Sequence, residues 1–405
     1  MSTFSLDTSF FAFIPDVREV GADRFCGILA DEIGVSGVTA AVAYHASRDF
    51  RPRNRTSRVA EFPAGAHYFP PDDRLYAASP IKPWCPPEYA APDLLARLRA
   101  ETGRRDIALT AWTVFGFNER VGRSQPEFAQ VNVYGDRYVT DLCPANPGYR
   151  EYATALAADV LRYEPDWVLS ESLHYHPLRE GRRFLRLDPW SRLALGLCFC
   201  AHCERAATGA GVDLPAVRHW ARSVADAMFD GTAEAGEGTT LDRAAVSGVL
   251  DGELEAFLAV RNGVVADLAA AVAETVRAGG SRFCFMDQAG AGERFLGTSV
   301  VEDAWRHGVD VAQIGRVCDG YQVLGYAPDA ARVAADVGAY RSALADEVYL
   351  RVALRPAWPD CTTTDNLVDK IDVATKLGAR GVDFYHYGLV SGDALRRVGE
   401  CLERP

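Results

Sequence analysis

The stretch DWVLSESLHYH (residues 166–176) runs from apolar residues into a carboxylate, Glu171, and then into two histidines. Read as a strand, its alternation places Trp167, Leu169 and Glu171 on one face, with the carboxylate at the C-terminal end. A second run, RFCFMD (282–287), closes the same way, with Phe283, Phe285 and Asp287 on one face. Six further β-branched or aromatic runs belong to the same pattern: FFAFIPDV (10–17), GVTAAVAYH (37–45), IALTAWTVFG (107–116), GYQVLGY (320–326), EVYLRVAL (347–354) and GVDFYHYG (381–388). Amphipathic stretches such as PDLLARLRAETG and YREYATALAADVLRYEP lie between them, with apolar residues at three- and four-residue spacing. Strands alternating with helices indicate a parallel sheet, and eight of them predict a (β/α)8 barrel of the TIM type. A doubly wound open sheet is the competitor. It is weakened because no GxGxxG opens a helix after the first strand and no P-loop occurs.

The chain of 405 residues reads as one barrel domain, 1–405, with long βα loops at 46–90 and 117–147 and a helical insertion at 189–245 between strands four and five. Long structured loops are uncommon unless they have a task, and in a barrel these follow the C-terminal strand ends where substrate binds. The net charge of −12 offers no basic surface for nucleic acid. The sequence shows no apolar run of about 20 residues, so no membrane partner is expected. The N-terminus lacks a basic segment and cleavage site, and a cytoplasmic location is the expectation.

Two strand-terminal carboxylates on neighbouring strands, about 4.8 Å apart, can approach one substrate atom. One protonates a leaving oxygen while the other activates water or attacks carbon, which is the chemistry of a glycosidic bond. Glu171 is therefore the candidate acid/base and Asp287 its partner. Asp287, followed by QAGAGE, equally suits a turn cap. Substrate-binding candidates at other strand ends are His45, Trp112, Asn118, Tyr326, Arg355 and His386, with His174 and His176 beyond strand four. Aromatic faces stack on sugars, and Arg holds anionic groups in a fork. Asp383, near the start of its strand, belongs to the stability end of a barrel.

LCFCAHC (197–203) spaces Cys198, Cys200 and Cys203 as C-x-C-x-x-C, a candidate structural zinc site whose fourth ligand would be Cys143 or a histidine. No organic cofactor is required. His174 and His176 with carboxylates make a metal-dependent isomerase, lyase or deacetylase a rival reading, weakened because no HExxH spacing occurs. A catalytically inactive sugar-binding barrel is another.

Several segments carry a family resemblance: AVAYHASRDFRPRN (41–54), VAEFPAGAHYFPPD (59–72), IKPW (81–84), AWTVFGFNERVG (111–122), NVYGDRYVTDLCPANPGYREY (132–152), WVLSESLHY (167–175) and LCFCAHC. Over residues 35–206 the chain resembles a poorly characterised group of bacterial glycoside-hydrolase-like barrels. The resemblance implies a barrel acting on a carbohydrate or glycoside, with Glu171 where strand four often carries the acid/base. Many retaining barrel glycosidases place the nucleophile at the end of strand seven. Here that strand reads YLRVALRP, with no acid before Asp360, and the departure shifts weight to Asp287 or to a pair unlike the common one. Self-association into a homo-oligomer is left open.

Overall fold

The computed structural model describes residues 6–176, 178, 187–232, 241–289 and 300–404. Eight parallel strands close into a barrel: β1 (Asp7–Phe13), β2 (Gly37–Tyr44), β3 (Ala108–Val114), β4 (Trp167–Glu171), β5 (Arg282–Asp287), β6 (Gly320–Leu324), β7 (Tyr349–Leu354) and β8 (Gly381–Phe384). Closure comes from β1, which pairs with β8 on one side and β2 on the other. The outer layer includes α1 (Ala22–Gly27), α2 (Leu94–Arg104), α3 (Pro147–Val160), α4 (Glu253–Ala278), α5 (Val311–Val317), α6 (Ala330–Ala343), α7 (Thr364–Lys376) and α8 (Gly392–Leu402). By length and composition α4 could cross a bilayer. Its buried residues, Phe257, Val265, Leu268 and Val272 among them, are those of a helix lying against β5 and α3.

The first strand starts and ends earlier than its apolar run suggests. Ile14–Val20 is helical, with Pro15 in its first turn. There Pro loses no hydrogen bond, because that N–H would be unpaired anyway. Asp16 accepts from the Phe13 N–H at 3.0 Å and so begins a helix rather than ending a strand. The last strand is shorter than its run and stops at Phe384. The segment after β2 holds a hairpin, Ser47–Phe50 with Val59–Phe62, and Ala66–His67 pairs antiparallel with β2. The segment after β3 holds a second hairpin, Ala129–Val131 with Arg137–Leu142. Between β4 and α4 the described α-helices are Pro189–Gly196, Ala201–Gly209, Leu214–Phe229 and Arg243–Ser247, which share an apolar cluster with the start of α4. Residues 233–240 of the expected insertion lie outside the described residues.

The lower lumen is polar and gathers its donors around one carboxylate. Asp383, 0% exposed, accepts from Arg351 Nε at 2.8 Å and Nη2 at 2.5 Å, from Gln322 Nε2 at 2.6 Å, and from Ser9 Oγ. Ser9 also hydrogen-bonds Thr39 at 2.7 Å, so residues of five strands are tied together here. Two glycines make room: a Cβ at Gly381 would lie 3.2 Å from the Arg351 guanidinium, and one at Gly320 would lie 2.9 Å from the Trp167 ring. A buried charge stripped of its partner costs about 3–5 kcal/mol, more than the pair itself contributes. Arg351→Met alone is therefore expected to lower the urea-unfolding free energy by about that amount. Arg351→Met with Asp383→Leu should recover most of it; an equally unstable double variant would mean that the ion pair itself, rather than an orphaned charge, sets the cost.

Candidate active site

Register decides which strand-end side chains face the lumen. Glu171 pairs with Val114, and Leu169 with Trp112 and Cys284, so Glu171 continues the inward face of Trp167 and Leu169. The Trp112 indole N–H donates to Glu171 Oε2 at 2.6 Å, and the Gln288 amide donates to Oε1 at 2.9 Å. Each oxygen thus has a fixed donor, which orients the carboxyl group. Directly after it, Ser172 is in the left-handed region with φ 65°, a conformation costing a non-glycine residue about 1–2 kcal/mol. Such strain is concentrated where a fold holds a functional group in place.

An aromatic wall surrounds the carboxyl. Trp112 meets Phe11 and Tyr44 edge-on at 5.1 and 5.0 Å between centroids, and Phe13 lies 3.9 Å from the His386 ring. Tyr44, Tyr326 and Tyr385 all lie within the electrostatic reach of Glu171. Burial, and then neighbouring negative charge, holds the hydroxyls of Tyr44 and Tyr385 well above the usual phenol range, so both remain protonated donors. Tyr44 and Tyr385 are hydrogen-bonded to each other, and Asp49 bears on both as Glu171 does. Arg355 lies 3.9 Å over the Tyr326 ring and pairs with Asp360 at 3.3 Å. At the end of β7 this arginine stands where the resemblance would have put a nucleophile.

Asp287 is not at the mouth. It pairs with Val323, and Phe285 with Ser170 and Tyr321, so these side chains share the outward face of the barrel. The Asp287 carboxylate accepts from Tyr321 at 2.5 Å, from Tyr340 of α6 at 3.0 Å, and from the Ala289 N–H at 2.7 Å. It joins the sheet to a helix and caps a turn, and the two carboxylates expected to face one another point to opposite sides of the sheet.

The remaining candidates separate in the same way. Trp112, Tyr326 and Arg355 gather around Glu171. His45 is half-buried at the end of β2, stacked on Tyr44 at 4.1 Å and bonded to the Ala46 carbonyl at 2.8 Å. Asn118 is a helix cap, its Oδ1 accepting from the Val121 N–H at 3.1 Å. His386 is fully buried against Phe13, accepts from the Gly388 N–H at 3.1 Å, and is held neutral by burial. His176 pairs with Asp141 at 2.7 Å, and His174 bonds the Tyr175 carbonyl at 2.9 Å. Gln288 and Asp141 were not foreseen. Alternation beyond Met286 would have turned Gln288 inward, but Asp141 lies on a separate hairpin and leaves no such signal.

Among the described residues, the group of three or more ligating side chains gathered within 4.8 Å is Cys143, Cys198, Cys200 and Cys203, all buried. Their Sγ atoms lie 3.4 Å (Cys143–Cys203), 3.5 Å (Cys143–Cys200) and 3.8 Å (Cys143–Cys198) apart. Four sulfurs about 2.3 Å from a tetrahedral ion would be separated by about 3.8 Å, so the set fits a metal ion. Cys143 would supply the fourth ligand. It lies 55 residues before Cys198, just past the Arg137–Leu142 strand, and sets the segment after β3 against the Ala201–Gly209 helix.

No family profile matches the chain, and no curated protein matches it. Solved structures do. The β-galactosidase of the psychrophilic Marinomonas ef1 superposes with a TM-score of 0.55 at 11% identity, over 98% of this chain and 58% of that one. The catalytic domain of a β-amylase from Paenibacillus polymyxa gives 0.53 at 11% identity, over 98% and 99%. α-L-Fucosidase isoenzyme 2 from Paenibacillus thiaminolyticus gives 0.53 at 12%, over 95% and 46%. The likeness is one of fold. The chain is a (β/α)8 barrel resembling those of several glycoside-hydrolase families, and it spans less than half the length of the fucosidase.

Burial holds Asp287 above its ordinary value of 3.8, despite the hydrogen bonds of Tyr321, Ala289 and Tyr340. The folded chain then keeps a proton that the unfolded chain has released, so this contribution to stability is complete below 3.8 and is lost as pH rises through the folded-state value. Asp287→Asn is expected to remove that slope and to cost about 1–3 kcal/mol in urea unfolding through the lost acceptor. Turnover should be unchanged; a collapse of turnover in the folded variant would return Asp287 to the mechanism.

Proposed function

We propose that the protein is a glycoside hydrolase acting on a carbohydrate substrate, with Glu171 as general acid/base. The observation that carries this reading is the Glu171 carboxyl at the C-terminal end of β4, facing the lumen and held by Trp112 and Gln288 within an aromatic wall. The activities named for the structural neighbours support it as an analogy of fold. Glu171 would protonate the glycosidic oxygen as the bond to the anomeric carbon breaks. The second carboxylate we assign is Asp49, which shares the Tyr44–Tyr385 pair with Glu171 and is partly exposed. It would activate water or attack the anomeric carbon. Two exposed aromatics follow barrel strands on the same end: Trp358 after β7, 82% exposed, and Phe50 on the hairpin after β2. Both offer faces for sugar CH surfaces.

The test is hydrolysis of a panel of aryl pyranosides and furanosides of both anomers. Wild type should release the aryl group from at least one, and Glu171→Gln should be about 10²–10⁴-fold slower. Asp49→Asn should fall similarly, with both variants folded by circular dichroism. Unimpaired Glu171→Gln would overturn the assignment. Saccharide binding by calorimetry with no hydrolysis by wild type would favour the sugar-binding barrel.

We assign the cysteine set to a structural zinc ion, since four thiolates suit that metal and leave no open position for substrate. Zinc removal by a chelator is expected to lower the melting temperature, and added zinc should restore it. A melting curve indifferent to both would count against the assignment.

A further inference from the structure

Arg261 of α4 is 2% exposed, yet no carboxylate pairs with it among the described residues. Its Nη1 donates to the Arg306 carbonyl at 3.2 Å, its Nε finds no acceptor, and its guanidinium lies 4.4 Å over the Tyr175 ring. A guanidinium does not shed its proton, so the charge is buried with the side chain. An uncompensated charge at such depth costs several kcal/mol. The groups whose negative charge would bear on it are Tyr175 and the thiolates of Cys203, Cys198 and Cys143.

The cysteine set also receives hydrogen bonds. Tyr175 Oη lies 3.3 Å from Cys203 Sγ, and the Val131 N–H donates to Cys198 Sγ at 3.3 Å. Four neutral thiols would leave Arg261 without any counter-charge. Four thiolates around a divalent cation leave two negative charges, which a buried cation and two donors would offset.

We propose that Arg261 and Tyr175 form the outer shell of a divalent-metal tetrathiolate at Cys143, Cys198, Cys200 and Cys203, Arg261 as its counter-charge and Tyr175 as its donor. This rests on the metal reading given above. Tyr175 lies between His174 and His176, and its own N–H donates to the His307 carbonyl at 3.0 Å. The outer shell thus anchors the segment leaving β4, four residues beyond Glu171, to the cysteines.

The test is zinc competition on the full chain against a chromophoric chelator of known affinity, with zinc content measured after dialysis. Wild type should hold zinc. Arg261→Met should bind it about 10–100-fold more weakly, Arg261→Lys should recover much of the loss, and Tyr175→Phe should fall between. In cobalt-substituted protein, Tyr175→Phe should shift the thiolate-to-cobalt charge-transfer band, because it deletes a donor to sulfur while keeping the ring. If Arg261→Met does not fold, Arg261→Lys and Tyr175→Phe decide the question. Zinc-loaded wild type with unchanged affinity and band in the folded variants would overturn the outer shell alone. Wild type that takes up no zinc would overturn the metal reading with it. Neither result depends on glycosidase activity.

Discussion

In a closed parallel barrel each strand presents alternate side chains to the lumen and to the helices, and neighbouring strands must keep that parity in register. Here the constraint runs from Arg351 through Gln322 on β6 and Met286 on β5 to the inward parity of Glu171 at the mouth. It also separates Glu171 from Asp287. Both end a strand, but one falls on the inward parity and the other on the outward, where Tyr321 and Tyr340 receive it.

The lower lumen and the mouth use polar groups differently. At the bottom, Asp383 is saturated by Arg351, Gln322 and Ser9, which leaves it no capacity for a ligand. At the mouth, Glu171 takes its orienting hydrogen bonds from an indole and an amide, those of Trp112 and Gln288. Arg355 at the end of β7 is held by Asp360 and Tyr326, which marks the clearest departure from the arrangement implied by the family resemblance.

The cysteines tie the mouth to the helical layer. Cys143 follows Asp141, the partner of His176, by two residues, and Cys203 touches Tyr175, the neighbour of both His174 and His176. A cluster placed there joins the segments after β3 and β4.

The sequence by itself determined the eight strands and their alternation with helices, because period-2 and period-3.6 patterns are local properties of the chain. It also determined that Glu171 ends a strand and that three cysteines share one short segment. Its family resemblance pointed to the right fold. Tertiary structure alone decided the rest. The parity of Asp287 depends on register against β4 and β6, set by hydrogen bonds between strands remote in sequence. Asn118 as a cap, Cys143 among the other three cysteines, Asp141 under His176, and Arg261 over the Tyr175 ring likewise join residues that no spacing rule connects. Such contacts arise only when the barrel closes and brings its loops to one end.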